Sequence, residues 1–112
     1  EFCYLSGEDG TSLAFLAQGG QGCISVTANI APKLCSELQN FWFDKNYDQA
    51  NKINLQLAKI HNALFVESSP GPVKYAAELL KLCSSATRMP LSPIKEETKK
   101  SIKNCLIEIG LL

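Results

Sequence analysis

The sequence predicts a parallel α/β segment followed by a segment made of helices only. Two β-rich runs, residues 2–5 and 23–27, each precede a helical pattern. From about Asn46 onward such runs stop, and apolar residues recur every three or four positions, as on a helix that buries one face. We therefore predict strand, helix, strand, helix over residues 1–45 and helices over residues 46–112, within one domain or part of one.

The first predicted strand, residues 2–5, is apolar and aromatic and lacks polar alternation, which is typical of a strand buried on both faces. It ends at Ser6, which could cap a helix. Glu8 and Asp9 would lie in the first turn of that helix, where acidic groups suit the positive end of the helix dipole. Gly19 would end the helix.

The second predicted strand, residues 23–27, leads into a helix that has Pro32 in its first turn. Short strands that alternate with helices are typical of parallel sheets, whose faces are covered by the helices. Two such strands leave two apolar edges, so we expect further strands to cover them. A (β/α)₈ barrel has about 31 residues per unit, and six further units before this chain would complete one.

Three helices are predicted in the second part of the chain. Asn46 and a glutamine three residues later form a capping-box pattern that begins a helix over residues 46–65. A proline-rich turn then precedes a helix over residues 73–83, and a last helix over residues 94–109 stops at Gly110. We expect four apolar side chains of these helices to lie in the core: Leu57, Ile60, Leu64 and Leu80.

The composition argues against nucleic acid and membrane as partners. Eleven Lys and Arg balance eleven Asp and Glu, which leaves no basic surplus to neutralise phosphates. No apolar run approaches the roughly 20 residues of a membrane span, and no signal peptide pattern begins the chain. We expect a soluble, cytoplasmic protein.

The sequence predicts neither a metal nor a cofactor. Five cysteines are an odd number without a Cys-x-x-Cys pair, and only one histidine accompanies them, which argues against zinc and against a disulfide framework. We expect reduced and mostly buried thiols. The glycine-rich residues 19–22 precede a strand, whereas a phosphate-binding loop follows one.

One short segment could bind a ligand. Ser6, Gly7, Glu8 and Asp9 lie where the first strand ends, and the carboxyl ends of parallel strands are where ligands bind. Gly7 would permit close backbone approach, and the two acids could bind a polar substrate; the alternative interpretation is a capped helix with a tight entry turn. His61 shares the apolar face of its helix, so we interpret it as a packed residue rather than a catalytic base.

Several blocks of the sequence resemble one protein family at matching spacing. The blocks are LSGED at 5–9, GGQGCISVTAN at 19–29, LFVE at 64–67, PGPVKYA at 70–76, PLSP at 90–93 and IGLL at 109–112. With these blocks the chain resembles dihydrodipicolinate synthases over essentially its whole length. One departure is the turn at 68–72, where the family usually has Pro-Asn-Pro-aliphatic-Pro.

The resemblance implies the last two units of a (β/α)₈ barrel followed by a three-helix C-terminal extension. It also implies a lyase of lysine (diaminopimelate) biosynthesis that condenses pyruvate with aspartate semialdehyde and usually forms homotetramers. The resemblance implies a lysine on the sixth strand that forms a Schiff base with pyruvate, a tyrosine and paired threonines that relay protons, and an arginine that receives the carboxylate of the second substrate. All of them would precede residue 1, so we expect no catalytic residue in these 112 residues and expect the six preceding barrel units as partners.

The same resemblance assigns a substrate-binding set. Gly7 matches the glycine at the end of the seventh strand, and Ile24 matches an apolar residue of the eighth strand near bound pyruvate. Glu8, where the family usually has aspartate, and Asp9, which matches, would form a polar rim for the semialdehyde. Two hypotheses follow: the chain is the C-terminal part of such an enzyme and is inactive alone, or it is a non-catalytic binding or assembly module derived from such a barrel.

Overall fold

The computed structural model describes residues 2–112, and helices account for all its regular elements. The elements are α1 (Ser12–Ala17), a 3₁₀ turn (Thr27–Asn29), α2 (Pro32–Phe43), α3 (Tyr47–Ala63), α4 (Gly71–Leu79) and α5 (Glu96–Glu108). The chain divides into two compact units, of which the first extends to Ala58 and the second is Lys59–Leu112. No helix within residues 2–112 has the length and apolarity needed to cross a bilayer.

The two predicted strands are reduced to a single point of parallel pairing. Ser6 and Cys23 form an isolated parallel bridge, and no longer ladder occurs within residues 2–112. The Ser6 N–H donates to the carbonyl of Gly22 at 2.9 Å, and the Ile24 N–H donates to the carbonyl of Ser6 at 2.8 Å. The parallel direction agrees with the prediction, whereas the prediction of two strands is wrong for this chain.

The side chains around the bridge explain why the pairing stays short. Phe2 is 75% exposed, Tyr4 is 60% exposed and Ile24 is 71% exposed. A strand is stabilised by side chains on neighbouring strands and by burial of at least one face. The preference of these residue types for strands reflects their fit to such a surface. Here each of the two segments has only the other as a neighbouring strand within residues 2–112, so the pairing stays short.

The start of α1 also differs from the prediction. The Ser6 hydroxyl accepts a hydrogen bond from the Glu8 N–H at 3.1 Å and donates to the Glu8 carbonyl at 3.0 Å, so it closes a local turn and caps no helix. The helix begins only at Ser12, with Thr11 as the capping residue. Its end is as predicted, because Gly19 has a φ of 97°, a left-handed conformation that glycine adopts without strain.

In the helical part, α3 follows the prediction closely, and the Gln49 N–H donates to Asn46 Oδ1 at 3.4 Å. The prediction that the next helix continues through residue 83 is wrong. It ends at Leu79, and Lys81 has a φ of 60°, which interrupts a helix. Leu80 is consequently half-buried rather than part of the core.

Each unit has its own set of buried apolar side chains. In the first unit α2 contacts the 3₁₀ turn, and in the second unit α4 contacts α5. The buried apolar residues of the first unit are Leu16, Ile30, Ala31, Leu38, Ala50, Ile53 and Leu57. Those of the second unit are Ile60, Ala63, Leu64, Val73, Ala76, Ala77, Ile102, Cys105, Leu106 and Ile109.

The start of α5 is capped by a distant side chain. Glu67 Oε2 accepts a hydrogen bond from the N–H of Lys95, the capping residue of α5, at 3.0 Å. Glu67 also accepts from the hydroxyl of buried Thr98. These donors, the Thr98 hydroxyl foremost, lower the pKa of the Glu67 carboxyl, while desolvation acts in the opposite direction. Glu67 therefore stabilises the first turn of α5 in its ionised form.

The core assignment of α5 predicts a difference between two adjacent residues. Leu106 is fully buried, whereas Ile107 is 51% exposed. We expect Leu106→Ala to lower the free energy of unfolding by about 2–5 kcal/mol, because it removes buried methyl groups and leaves a cavity. The matched control Ile107→Ala should change it by no more than about 0.5 kcal/mol. Equal denaturant midpoints for the two variants would contradict the burial pattern.

The cap by Glu67 predicts a pH dependence of stability. The pKa of Glu67 is lower in the folded state than in the unfolded state. The stabilisation that its carboxylate provides is therefore complete above the unfolded-state pKa of about 4.3 and is lost as the pH falls through the folded-state pKa. We expect the free energy of unfolding, measured by urea denaturation, to decrease less between about pH 5 and pH 3 in Glu67→Gln than in the parent chain. The control Glu78→Gln, which neutralises an exposed carboxylate of α4, should keep the parent slope.

Candidate functional site

The parallel bridge brings two of the predicted site residues to the same end of the paired segments. Gly7 directly follows Ser6, and Ile24 directly follows Cys23. Both residues are exposed, and apart from Gly7 and its two chain neighbours no described atom lies within 4 Å of the position that a Cβ on Gly7 would occupy. For Gly7 this is the carboxyl end of the predicted strand 2–5, where parallel sheets bind their ligands, whereas Ile24 lies near the start of the predicted strand 23–27.

Asp9, by contrast, is only 5% exposed and faces inward. Its Oδ1 accepts a hydrogen bond from Ser25 Oγ at 2.5 Å. Its Oδ2 accepts from the N–H groups of Val26 at 2.9 Å and Thr27 at 3.1 Å. Three donors from the second segment thus surround the carboxylate of a residue in the first segment.

Ser25 completes this arrangement, although it was not among the predicted site residues. Its hydroxyl oxygen also accepts a hydrogen bond from the Ala28 N–H at 2.9 Å. Together Asp9 and Ser25 bind N–H groups at the start of the 3₁₀ turn, where Thr27 is fully buried. A serine and a threonine two residues apart are a signal for a turn or cap, and that signal was available within residues 23–27.

Glu8 lies at the surface, and its carboxylate is engaged locally. Oε1 accepts from the Gly10 N–H at 2.8 Å, and Oε2 accepts from the Thr11 N–H at 2.7 Å and from the Thr11 hydroxyl. Glu8 therefore caps the start of α1, which is the role that the sequence suggested for Ser6. Of the two carboxylates of the predicted polar rim, that of Glu8 is exposed and that of Asp9 is buried. Both accept hydrogen bonds from groups of the chain itself.

Two thiols lie near the buried carboxylate. Burial raises the pKa of Cys23, and the negative charge of Asp9 adds to this. Burial also raises the pKa of Cys35 to about 11, while a hydrogen bond with the Ser25 hydroxyl opposes the shift. A thiol with so high a pKa is a poor nucleophile at neutral pH.

The remaining cysteines and the histidine do not form a metal-binding cluster among residues 2–112. All five cysteines are free, but only Cys105 is buried, so the expectation of mostly buried thiols is wrong. Cys23 and Cys35 are half-buried, and Cys3 and Cys83 are exposed. Among residues 2–112 no group of three or more His, Cys, Asp or Glu side chains is placed to hold a metal ion. His61 is buried on α3, in agreement with its interpretation as a packed residue.

Solved structures with the same fold define the class of protein. The chain superimposes on dihydrodipicolinate synthase from Thermotoga maritima with a TM-score of 0.97 and 39% identity, covering 99% of this chain and 38% of that one. It also matches the enzyme from Acinetobacter baumannii, solved with pyruvate, with a TM-score of 0.93, 39% identity, and the same coverage of 99% and 38%. These neighbours are (β/α)₈-barrel enzymes.

The sequence narrows this class to one family. The model of the dihydrodipicolinate synthetase family matches residues 1–109, and the chain belongs to that family. It is 52% identical over 111 residues to the 4-hydroxy-tetrahydrodipicolinate synthase of Gluconacetobacter diazotrophicus, and 50% identical over 112 residues to that of Rhodospirillum centenum. The chain covers 37% and 38% of the lengths of these two relatives.

The environment of the thiols predicts their order of alkylation. At pH 8 a pKa of about 11 leaves about one thousandth of Cys35 as thiolate. We expect Cys35 to react with iodoacetamide at least about tenfold more slowly than exposed Cys3, as measured by peptide mass spectrometry over time. In denaturant the two rates should converge. Equal rates in the folded chain would contradict the partial burial of Cys35.

Proposed function

We propose that the chain is the C-terminal part of a cytoplasmic 4-hydroxy-tetrahydrodipicolinate synthase. The whole protein would condense pyruvate with aspartate semialdehyde in lysine (diaminopimelate) biosynthesis, as a lyase of the Schiff-base type. The observation that carries this proposal is the family match over residues 1–109. Relatives with 50–52% identity that carry this enzyme name support it.

Within that enzyme the chain would supply the last two barrel units and the three-helix extension. The parallel bridge between Ser6 and Cys23 supports the first assignment, because adjacent barrel strands run parallel. The succession of α3, α4 and α5 without any intervening strand supports the second. The proposed boundary between the two parts lies between residues 45 and 46.

The proposed partners are the six preceding barrel units and further copies of the enzyme in a homo-oligomer. Large apolar side chains around the bridge are exposed in this chain, and neighbouring strands and helices of a barrel would cover them. These side chains are Phe2, Tyr4, Leu5 and Ile24. Their burial would also extend the single bridge into full strands, since strand pairing and burial support each other.

The proposed substrate site uses Gly7 and Ile24 to shape the space for pyruvate. Their position at one end of the parallel segments supports this role, and so does the open space in front of Gly7. Pyruvate is present in the matching structure from Acinetobacter baumannii. Glu8 and Asp9 would lie beside this surface and form a polar rim for aspartate semialdehyde, with their carboxylates already hydrogen-bonded to the chain.

We assign no catalytic residue to this chain. Lys33 is its first lysine, and its side chain is 87% exposed on α2, where it pairs with Glu37 at 3.8 Å. A lysine that forms an imine is usually activated by desolvation or by a neighbouring cation. The environment of Lys33 provides neither, which supports a Schiff-base lysine outside these 112 residues.

Borohydride trapping tests the proposal. We expect the isolated chain to gain no mass when it is incubated with pyruvate and sodium borohydride, because the proposal places the Schiff-base lysine on a strand that precedes residue 1. The longer protein that contains this chain should gain one reduced pyruvate adduct, on a lysine outside residues 1–112, and should condense pyruvate with aspartate semialdehyde. Samples without pyruvate serve as the control.

Two results would contradict the proposal. An adduct on a lysine within residues 1–112 would show that the chain carries its own Schiff-base residue. A longer protein with neither adduct nor condensation activity would favour the non-catalytic module instead.

A further inference from the structure

The hydrogen bonds of Asp9 connect the two segments directly beyond the proposed pyruvate-binding residues. Asp9 lies two residues after Gly7, and the donors that it binds lie one to three residues after Ile24. The backbone bridge fixes the segments on one side of these two residues. The Asp9 carboxylate fixes them on the other side.

The groups involved are suited to a rigid connection. A carboxylate that accepts two backbone N–H groups and one hydroxyl forms charge-assisted hydrogen bonds, which are shorter and stronger than neutral ones. Asp9 is 5% exposed and Thr27 is fully buried, so water has little access to replace these bonds. Removal of the carboxylate would leave the buried Thr27 N–H and the half-buried Val26 N–H without this acceptor, which is costly in a folded protein.

We infer that Asp9 is a positioning residue of the substrate site and that it makes no contact with substrate. Its carboxylate sets the separation of Gly7 and Ile24, and Ser25 acts with it as the hydroxyl donor. This inference rests on the proposed function and changes one part of it: Asp9 acts on pyruvate through the backbone, and not on the semialdehyde as part of a polar rim.

Steady-state kinetics of the full-length protein that contains this chain test the inference. We expect Asp9→Asn to raise the KM for pyruvate about tenfold, with a change in kcat of less than about threefold, because ground-state placement of pyruvate is disturbed. Ser25→Ala removes one of the three donors and should raise the same KM about threefold. In the double variant the effects should be less than multiplicative, because the two residues act through one hydrogen bond.

Two controls separate positioning from general loss of stability. Ile102→Val removes one methylene from the buried core of the second unit and should lower the melting temperature without changing either KM. Hydrogen exchange should show faster exchange of the Ile24 amide in Asp9→Asn and unchanged exchange of the α5 amides. Asn keeps the shape of Asp, and Ser25→Ala provides an independent variant if Asp9→Asn folds poorly.

Three results would overturn the inference. If both variants keep the wild-type KM for pyruvate in an active enzyme, Asp9 positions nothing. If only the KM for aspartate semialdehyde rises, Asp9 contacts that substrate. If the full-length wild-type protein condenses nothing, the proposed function fails and the positioning role fails with it.

Discussion

The first unit depends on hydrogen bonds between two segments that are far apart in sequence. Ser6 provides both a donor and an acceptor to the backbone around Cys23, and Asp9 accepts from the turn that follows. The separation of 16–18 residues between Asp9 and its partners means that α1 is enclosed in the loop that they close. A six-residue helix is too short to be stable by itself, so these long-range bonds, with the Glu8 cap, hold it in place.

The second unit uses the same physical device in an all-helical setting. Glu67, in the loop after α3, binds the start of α5 some 28 residues later. In both units a carboxylate from a connecting loop satisfies backbone N–H groups at the beginning of a helical element, where no intrahelical acceptor exists. Burial of apolar side chains then stabilises helices whose first residues are already held by these hydrogen bonds.

The parts of this structure that depend on residues close in sequence were predictable, whereas the parts that depend on residues distant in sequence were not. The start of α3 was predictable because Asn46 and Gln49 are neighbours in sequence. The parallel direction was predictable from the order of elements, whereas the extent of pairing depends on neighbours outside the two segments. Gly7 was singled out from that order and Ile24 from the family resemblance, but the pairing of Asp9 with Ser25 required knowledge of which loop faces which.

The exposed apolar residues at the bridge also bear on how copies of the chain behave toward one another. Charges sum to zero at pH 7, so no long-range repulsion separates two molecules in neutral solution. Phe2, Tyr4 and Ile24 lie next to backbone that already pairs in the parallel direction. Such a surface favours edge-to-edge association, so in a crowded solution this small region lowers the colloidal stability of the isolated chain.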